Sequence, residues 1–199
     1  YKREEYIARA ERLKATRPGL TLSTDIIVGF PGETEDDFQE TLSLVQQMGF
    51  VSLFGFRYSV RPYTPAKKME NDVPEEIKSD RLHRLLALGD EITYKHLQSL
   101  EGTVASVLVE GASKHGNIKK NENPNIHFEQ GRTDRNEVVH FPCPIGFSLI
   151  GEQVFVQITQ ANKRSLSGEL LPLSEGKLRT VPPASHSAKR ISLPLAVSP

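Results

Sequence analysis

The amino-acid sequence predicts an α/β unit with parallel strands, followed by a small antiparallel β-barrel of the OB-like kind. Over the first hundred residues, strand-like and helix-like segments alternate, which is the order that connects parallel strands through helical crossovers. After about Leu100 the segments become short and β-like, with Gly- and Asn-rich turns between them, as in small barrels. The length of 199 residues, 37% of them hydrophobic, suffices for two small cores.

The α/β unit is predicted to open with an amphipathic helix and a buried strand. Tyr6, Ala10 and Leu13 follow helical spacing. Leu20–Val28 is predicted to be a strand, and the continuous apolar run at its end, Ile26–Val28, predicts burial on both faces. Because the chain enters a helix at once and does not begin with Met, we expect that a preceding part is missing.

A second helix and a second strand follow. Phe38, Leu42 and Val45 lie at helical spacing behind four acidic residues that suit a helix N-terminus. Phe50–Tyr58 is apolar and aromatic, as expected of the next strand. Two strands cannot close a sheet, so this order predicts the C-terminal part of a larger α/β barrel, spanning residues 1–99.

A third helix is predicted from about Asp72 to Leu97, with Asp72 as the N-cap and Glu75 returning the hydrogen bond. The second unit is assigned to 100–172. Its predicted strands are Thr103–Val109, Glu137–Phe141, Gln153–Thr159 and Ser165–Leu171. Residues 114–130 are predicted to be a mobile loop, and the Pro- and Ser-rich tail 173–199 is predicted to be disordered.

The composition excludes several classes of protein. The 25 basic and 25 acidic residues cancel, and residues 103–171 contain seven of each, so no overall attraction to nucleic acid or membrane is predicted. Cys143 is the one cysteine, which excludes a disulfide scaffold, a zinc domain and a self-contained iron–sulfur protein. No apolar run reaches 18 residues and no signal peptide is evident, so a cytoplasmic protein without membrane contact is expected.

Three groups of residues could carry a site, and each also has a structural explanation. Asp25–Thr34 could place a ligand at the end of a strand, but its acidic residues argue against phosphate, and an ordinary βα loop explains its glycines. Arg61 could pair with a carboxylate or phosphate, or be solvated in a proline-rich connection. Basic residues of the second unit could follow an RNA backbone or form a solvated surface: Lys114, Arg132, Arg135, Lys163 and Arg164. The six histidines show no ligand spacing, and Cys143 has no evident activating base, so no metal ligand or catalytic residue is predicted.

Several segments, in this order and spacing, resemble the radical S-adenosylmethionine methylthiotransferases. They are Leu22–Thr34, Tyr58–Ala66, Val73–Lys78, Val107–Gly111, Gly131–Asn136 and Ser165–Leu170. The last three resemble the RNA-binding TRAM domain of that family. Tyr63 stands where the family usually has Gly.

The resemblance is strongest to the branch that methylthiolates C2 of N6-dimethylallyladenosine next to the tRNA anticodon. It implies an enzyme that uses S-adenosylmethionine and two [4Fe–4S] clusters, with tRNA and an electron donor as partners. The cluster cysteines are absent from this chain, so the chain alone is expected to be inactive. The resemblance places Asp25, Gly29, Tyr58 and Arg61 near S-adenosylmethionine.

The same resemblance implies that Lys114, Arg132, Lys163 and Arg164 bind the anticodon stem-loop. Two alternatives stay open. One is a non-catalytic RNA-binding module on a degenerate α/β scaffold. The other is a sister methylthiotransferase that acts on a ribosomal protein or on threonylcarbamoyl-adenosine in tRNA.

Overall fold

The computed structural model describes residues 2–69, 72–114, 125–172 and 179–180. The first unit contains three helices and two strands, in the predicted alternating order. Their bounds are α1 Arg3–Thr16, β1 Ser23–Val28, α2 Glu35–Met48, β2 Ser52–Arg57 and α3 Glu75–Gln98, with a short 3-10 helix at Pro65–Lys68. The helix order and the parallel pairing of β1 with β2 confirm the α/β prediction for this unit.

Local signals define both ends of α2. The Thr34 hydroxyl accepts from the Asp37 backbone N–H, while the Asp37 carboxylate accepts from the Thr34 backbone N–H, which completes a capping box. Gly49 ends the helix in the left-handed conformation at φ +60°, where glycine carries no Cβ penalty. Phe38 and Val45 on the inner face are fully buried. Sequence therefore sets both the limits and the buried side of this helix.

Helix α3 packs closely against β2. A Cβ at Gly55 would lie 2.8 Å from a methyl group of Leu82, so a larger residue there would require the Leu82 side chain to move. Leu85 is fully buried at the same contact. The N-terminus of α3 differs from the prediction, because Pro74 is the N-cap and makes no side-chain hydrogen bond. Asp72 and Glu75 instead accept hydrogen bonds from the buried Lys78 ammonium, at 2.9 and 3.0 Å.

One face of the β1–β2 sheet is open. Ile27, Phe54 and Phe56 are each more than half exposed, on the face opposite the helices. The prediction that Ile26–Val28 is buried on both faces is therefore wrong for the described residues. The physical reason is that α2 and α3 cover a single face, while nothing else described here covers the other.

The second unit is a small β-barrel, as predicted; it is closed and has five strands, one more than the four segments predicted from the sequence. Its strands are β3 Val104–Ala112, β4 Ile126–Thr133, β5 Val138–Pro144, β7 Gln153–Ala161 and β8 Leu166–Leu170, in the spatial order β3-β4-β5-β8-β7. Four of the five pairings are antiparallel; β5 and β8, which close the barrel, are parallel. Alternating residues of β7, including Val154, Val156 and Ile158, fill the interior.

Two sequence predictions in the second unit need correction. Part of the predicted mobile loop, from Ile126 onward, belongs to β4, while residues 115–124 lie outside the described residues. In the predicted disordered tail, Arg179–Thr180 form a short strand, β9, that pairs with β6 at Phe147–Ser148. Residues 173–178 and 181–199 lie outside the described residues. Both strands escaped prediction because tertiary pairing stabilises them, while their own sequences are polar.

Helix α3 connects the two units directly. Leu97, near its C-terminal end, is buried in the core of the barrel rather than in the core of the α/β unit. The α3 side chain of Asp90 also accepts from Arg164 of the β7–β8 turn, at 2.7 Å. The barrel therefore lies against the C-terminal half of α3.

Candidate ligand and nucleic-acid sites

The turn after β1 is closed by its own side chains. The Gly29 backbone N–H donates to the Glu33 carboxylate at 2.6 Å. Arg81 of α3 donates to the same carboxylate oxygen at 2.7 Å and to the Glu33 carbonyl at 3.0 Å. Both charged side chains are largely buried. Since the Gly29 N–H is already used, this turn does not offer it to a phosphate, in agreement with the sequence argument against a phosphate loop.

A cavity of about 830 Å³ opens at the carboxyl ends of β1 and β2. Ile27 and Phe56 give it an apolar wall, while Tyr58 and Arg61 give it a polar and a cationic group. Lys78 also lines it, but its charge is paired with Asp72 and Glu75 of the same lining. The carboxyl ends of parallel strands are where α/β barrels bind their ligands. This arrangement can hold a molecule that has both an apolar and an anionic part.

Tyr58 presents an unusual polar group to this region. Its hydroxyl is buried and has no hydrogen-bond partner among the described residues. The ring packs edge-on against Phe30, with centroids 5.1 Å apart, and the Lys78 ammonium lies 5.8 Å from the ring centroid. A buried hydroxyl without a partner costs free energy, so it is a group that a ligand could satisfy.

The four predicted cofactor residues do not form one continuous set. Tyr58 and Arg61 line the cavity together. Asp25 is exposed on the same open face as Ile27, opposite Phe54 in the register. Gly29 has φ +73° and contacts the Lys78 side chain so closely that a Cβ would lie 2.3 Å from it. The structure thus explains Gly29 by backbone geometry and packing.

The connection after Tyr58 keeps a turn that suits glycine. Tyr63 has φ +65°, in the left-handed region, and its side chain is fully exposed. A non-glycine residue there costs roughly 1 kcal/mol. The family that the sequence resembles usually has Gly at this position, and the structure shows that the position needs a left-handed backbone.

The β4–β5 turn is rigidified by hydrogen bonds of its Gly131–Asn136 motif and of the adjoining Glu137. The Arg132 guanidinium donates to the Asn136 carbonyl and to its side-chain oxygen, at 3.2 and 3.0 Å. The Thr133 hydroxyl donates to the Glu137 carboxylate, which also lies 2.9 Å from His96 Nε2 of α3. The motif therefore orders this turn and attaches it to α3.

The attachment through Glu137 predicts an acid-sensitive stability. Burial by itself raises the pKa of this carboxyl, but hydrogen bonds with His96 and Thr133 hold it below its ordinary value. A carboxyl with a lowered folded-state pKa stabilises the fold above its unfolded-state pKa, and this stabilisation is lost as the pH falls through the folded-state value. Below about pH 4.5, the free energy of unfolding of the parent chain should fall as Glu137 is protonated, and we expect Glu137→Gln to lose this part of the pH dependence. Urea titrations of both proteins across this range would measure it.

Glu110→Gln is the matched control, since the Glu110 carboxylate pairs with Arg132 at 3.3 Å where both side chains are more than two-fifths exposed. Its pH profile should follow the parent protein. A Glu137→Gln profile parallel to the parent down to the acid limit would contradict the role assigned to this carboxyl.

Three of the four predicted RNA-binding cations have acidic partners in the structure. Lys163 and Arg164 both pair with Asp90, at 3.1 and 2.7 Å, and Arg132 pairs with Glu110. Lys114 is exposed at the end of β3 and makes no ion pair with any residue that the structure describes. Arg132 and Arg164 line one cleft of about 460 Å³ between the units, together with Arg135, while Lys114 is not part of it.

The fold also brings together three possible metal ligands that sequence spacing did not reveal. Ligand atoms of His127, Glu129 and Cys143 lie within 4.8 Å of one another, because the register places His127 opposite Cys143. The Glu129 carboxylate already accepts from the Ser148 hydroxyl and the Leu149 backbone N–H. Burial, followed by the nearby Glu129 charge, raises the pKa of the Cys143 thiol to about 11, so the thiol stays protonated at neutral pH. These two hydrogen bonds explain why Glu129 is buried, because its carboxylate attaches the 148–149 segment to β4.

No helix in the described part of the chain is both long and apolar enough to span a bilayer.

Comparison with known proteins agrees with this architecture. The TRAM domain family model matches residues 98–171, which include the whole five-stranded barrel. Over 182 residues the chain is 49% identical to a tRNA-2-methylthio-N(6)-dimethylallyladenosine synthase of Sorangium cellulosum, covering 90% of this chain and 35% of the relative.

Proteins of the same name from two other bacteria are also similar. The relative from Geobacillus thermodenitrificans is 48% identical over 170 residues, which are 85% of this chain and 30% of the relative. The relative from Bdellovibrio bacteriovorus is 42% identical over 173 residues, which are 86% of this chain and 35% of the relative. The chain thus spans about a third of the length of the curated relatives it matches. Both units lie inside these matches, so the chain is similar across both units to the tRNA-2-methylthio-N(6)-dimethylallyladenosine synthases, and its residues 98–171 match the TRAM domain.

Proposed function

We propose that this chain is the tRNA-contacting part of an enzyme that adds a methylthio group to C2 of N6-dimethylallyladenosine beside the tRNA anticodon. The observation that carries the proposal is the 49% identity over 90% of the chain, which includes both the α/β unit and the TRAM barrel. In this proposal residues 1–99 complete a radical S-adenosylmethionine barrel, and residues 100–172 hold the anticodon stem-loop. Such an enzyme would work in the cytoplasm, with an electron donor as a further partner.

The open face of the β1–β2 sheet supports the first half of the proposal. Ile27, Phe54 and Phe56 form an apolar surface on the side of the sheet that no described element covers. Both strands are also edge strands in the described part of the chain, where the sheet consists of these two strands. Further parallel strands with the same apolar inner face would bury these side chains and use the free edges.

S-adenosylmethionine fits the cavity at the carboxyl ends of β1 and β2. The unpartnered Tyr58 hydroxyl can hydrogen-bond to it, Arg61 can pair with its carboxylate, and the wall made by Ile27 and Phe56 can contact its adenine. Asp25 and Gly29 lie on the neighbouring strand and its turn. When bound, the cofactor supplies the methyl group and the radical chemistry; the residues of this chain bind and orient it.

The two iron–sulfur clusters do not fit this chain. A [4Fe–4S] cluster is held by several cysteine thiolates, whereas the chain has Cys143 alone, and that residue is buried within the TRAM barrel. The cluster ligands therefore belong to another part of the enzyme, and the chain alone is expected to be inactive. The proposal assigns no step through the clusters to these residues.

The Lys163–Arg164 pair is the best-placed predicted contact to RNA. Both side chains are about three-quarters exposed, and they share one carboxylate, so the patch keeps a net positive charge. Burial tends to raise the pKa of Asp90, yet hydrogen bonds from Arg164 and Lys163 lower it overall, so this carboxylate stays ionised at neutral pH. A phosphate can replace or join the carboxylate as acceptor.

We expect Lys163→Ala combined with Arg164→Ala to weaken binding of the chain to an anticodon stem-loop RNA. Each lost phosphate contact should lower the slope of log affinity against log salt by about one. Fluorescence anisotropy between low and physiological salt measures both effects. An unchanged slope would remove these residues from the interface.

Asp90→Asn is the complementary variant. It releases both cations from their carboxylate, so the proposal expects tighter RNA binding and a steeper salt slope. If Asp90→Asn weakens binding as much as the double alanine variant, the ion pairs act by holding α3 to the barrel and not by contacting RNA.

The activity is tested with a chimera in which this chain replaces the matching third of the Sorangium relative. We expect the reconstituted chimera to restore the 2-methylthio group on tRNA nucleosides in a strain that lacks it. The relative without the replaced segment is the control. A chimera with intact clusters that binds tRNA but leaves the nucleoside unmodified would contradict the proposed function.

A further inference from the structure

A second polar cavity lies where the turn after α1 meets the β4–β5 turn of the barrel. It has a volume of about 400 Å³ and is called the junction cavity below. Arg17, Gly19 and Ser23 line it from the α/β unit, and Arg135 lines it from the barrel. It faces the amino ends of β1 and β2, so it is separate from the cavity at their carboxyl ends, which Tyr58 and Arg61 line.

Two arginines of the junction cavity lack ion-pair partners. Neither Arg17 nor Arg135 forms a salt bridge with any carboxylate in the described part of the chain, and both side chains are exposed. Three further cations of the barrel line or adjoin the 460 Å³ cleft between the units. They are Arg132, Lys163 and Arg164, and each of them pairs with a carboxylate. Arg135 is therefore the cation of this cleft whose charge the fold leaves uncompensated.

The two arginines come from different units and are brought close by the tertiary structure. The Arg135 guanidinium lies 2.9 Å from the position that a Cβ on Gly19 would occupy, two residues beyond Arg17. Gly19 has φ +77°, a conformation that favours glycine. The absence of a side chain at this turn thus gives Arg135 the space it occupies.

The remaining lining suits an anion. Among the described residues, one acidic residue, Asp134, lines the cavity against two arginines, and Thr21, Ser23 and Ser52 contribute hydroxyl groups. Hydroxyls and guanidinium groups are donors that phosphate oxygens accept from. The lining therefore has a net positive charge and an excess of donors.

The cavity is also held in shape before any ligand binds. On one side the β4–β5 turn is fixed by the Arg132–Asn136 and Thr133–Glu137 hydrogen bonds. On the other side, the Leu20 backbone N–H donates to the Arg17 carbonyl at 3.1 Å and closes the turn after α1. Preorganised donors bind with a smaller entropic cost than donors on mobile loops.

We propose that the junction cavity binds a backbone phosphate of the RNA substrate, with Arg17 and Arg135 donating to it from opposite sides. The proposal rests on the proposed function, because a tRNA is what supplies the phosphate. It adds a contact that spans both units, so RNA bound there would also fix the barrel against the α/β unit. Guanidinium groups are the side chains best matched to phosphate in this way.

The test compares the chain with Arg17→Gln, Arg135→Gln and the double variant. Arg12→Gln is the matched control: Arg12 is an exposed arginine of helix α1, which precedes the turn that holds Arg17, and it does not line the cavity. Affinity for an anticodon stem-loop RNA is measured across a salt series. We expect each cavity variant to lower the salt slope by up to about one, with the double variant lowering it little further, because both arginines serve the same phosphate.

A second measurement separates RNA phosphate from free phosphate. Inorganic phosphate is titrated at constant ionic strength while the arginine Nε–H signals are followed by NMR. If the cavity variants bind RNA more weakly than the parent chain, and the arginine signals do not respond to inorganic phosphate, the site belongs to the RNA backbone. A saturating response of Arg17 and Arg135 to inorganic phosphate, with RNA affinity unchanged in the variants, assigns it to a small anion and overturns the proposal.

The remaining outcomes distinguish this inference from the proposed function. If the parent chain binds the stem-loop and the cavity variants behave like Arg12→Gln, the inference falls while the proposed function stands. If the parent chain fails to bind the stem-loop at any salt concentration, the RNA-binding role proposed for the barrel falls as well. Circular dichroism of each variant confirms that the comparison is made between folded proteins.

Discussion

Replacing Gly131 with Ala is expected to lower the free energy of unfolding of the barrel by more than about 3 kcal/mol. A Cβ at this position would lie 2.2 Å from the Leu108 carbonyl oxygen and 2.6 Å from a Val107 methyl group. The oxygen belongs to the backbone of the neighbouring strand β3, so it cannot move aside as a flexible side chain can. Equilibrium urea denaturation of the variant measures the loss.

Gly111→Ala is the matched control for this effect. Gly111 lies on β3 within the same strand pair, at a β-bulge, and a Cβ there would meet no atom within 4 Å. We expect its free energy of unfolding to stay within about 1 kcal/mol of the parent chain. Equal losses in the two variants would show that the penalty comes from glycine flexibility in the strand pair and not from the close approach at Gly131.

The second large effect is expected for Arg81→Gln, at about 3–4 kcal/mol of unfolding free energy in the α/β unit. The variant leaves the Glu33 carboxylate, which is only 12% exposed, without its cationic partner. It also removes the hydrogen bond to the Glu33 carbonyl, and with it the link between the turn after β1 and helix α3. Thermal and urea unfolding, followed by far-ultraviolet circular dichroism, would measure the loss.

Arg84→Gln provides the comparison, because Arg84 lies three residues further along α3 and is more exposed. It pairs with Glu35 and Asp80 at 2.6 and 3.1 Å, and exposed pairs contribute no more than about 1 kcal/mol. A loss for Arg84→Gln as large as that for Arg81→Gln would contradict the assignment of the larger effect to burial.

The Arg81–Glu33 pair also connects stability to the proposed cofactor site. Glu33 fixes the Gly29 turn, and Lys78, one helical turn before Arg81, packs against both Gly29 and the Tyr58 ring. Loss of the pair would therefore loosen the wall of the cavity that Tyr58 and Arg61 line. In the chimera, we infer that Arg81→Gln weakens S-adenosylmethionine binding more than Arg84→Gln does.

Part of the candidate site could be predicted from short stretches of sequence. The turn at Gly29, the helix start at Thr34 and the motif at 131–136 all depend on contacts within a few residues, so their residue types are visible in order along the chain. Family resemblance then supplied roles for Tyr58 and Arg61, which spacing alone left open.

Other features depended on contacts between distant segments. Strand β4 was missed because its long-range pairing with β3 spans residues 115–124, whose polar sequence gives no strand pattern. Asp90 was missed as the partner of Lys163 and Arg164 because 73 residues or more separate them. The prediction of an N-cap at Asp72 is wrong, because the carboxylates of Asp72 and Glu75 both accept hydrogen bonds from the Lys78 ammonium.

The sequence by itself determined the order of helices and strands in the α/β unit, the change from α/β to barrel near residue 100, and the resemblance to the methylthiotransferases. These follow from periodicity, turn residues and motifs, which are local properties of the chain. Only the tertiary structure decided which cations are neutralised and which are not. Ion pairs depend on the distance between side chains in space, so Arg135 became distinguishable from Arg132 and Arg164 only when the barrel was placed against α3 and the turn after α1.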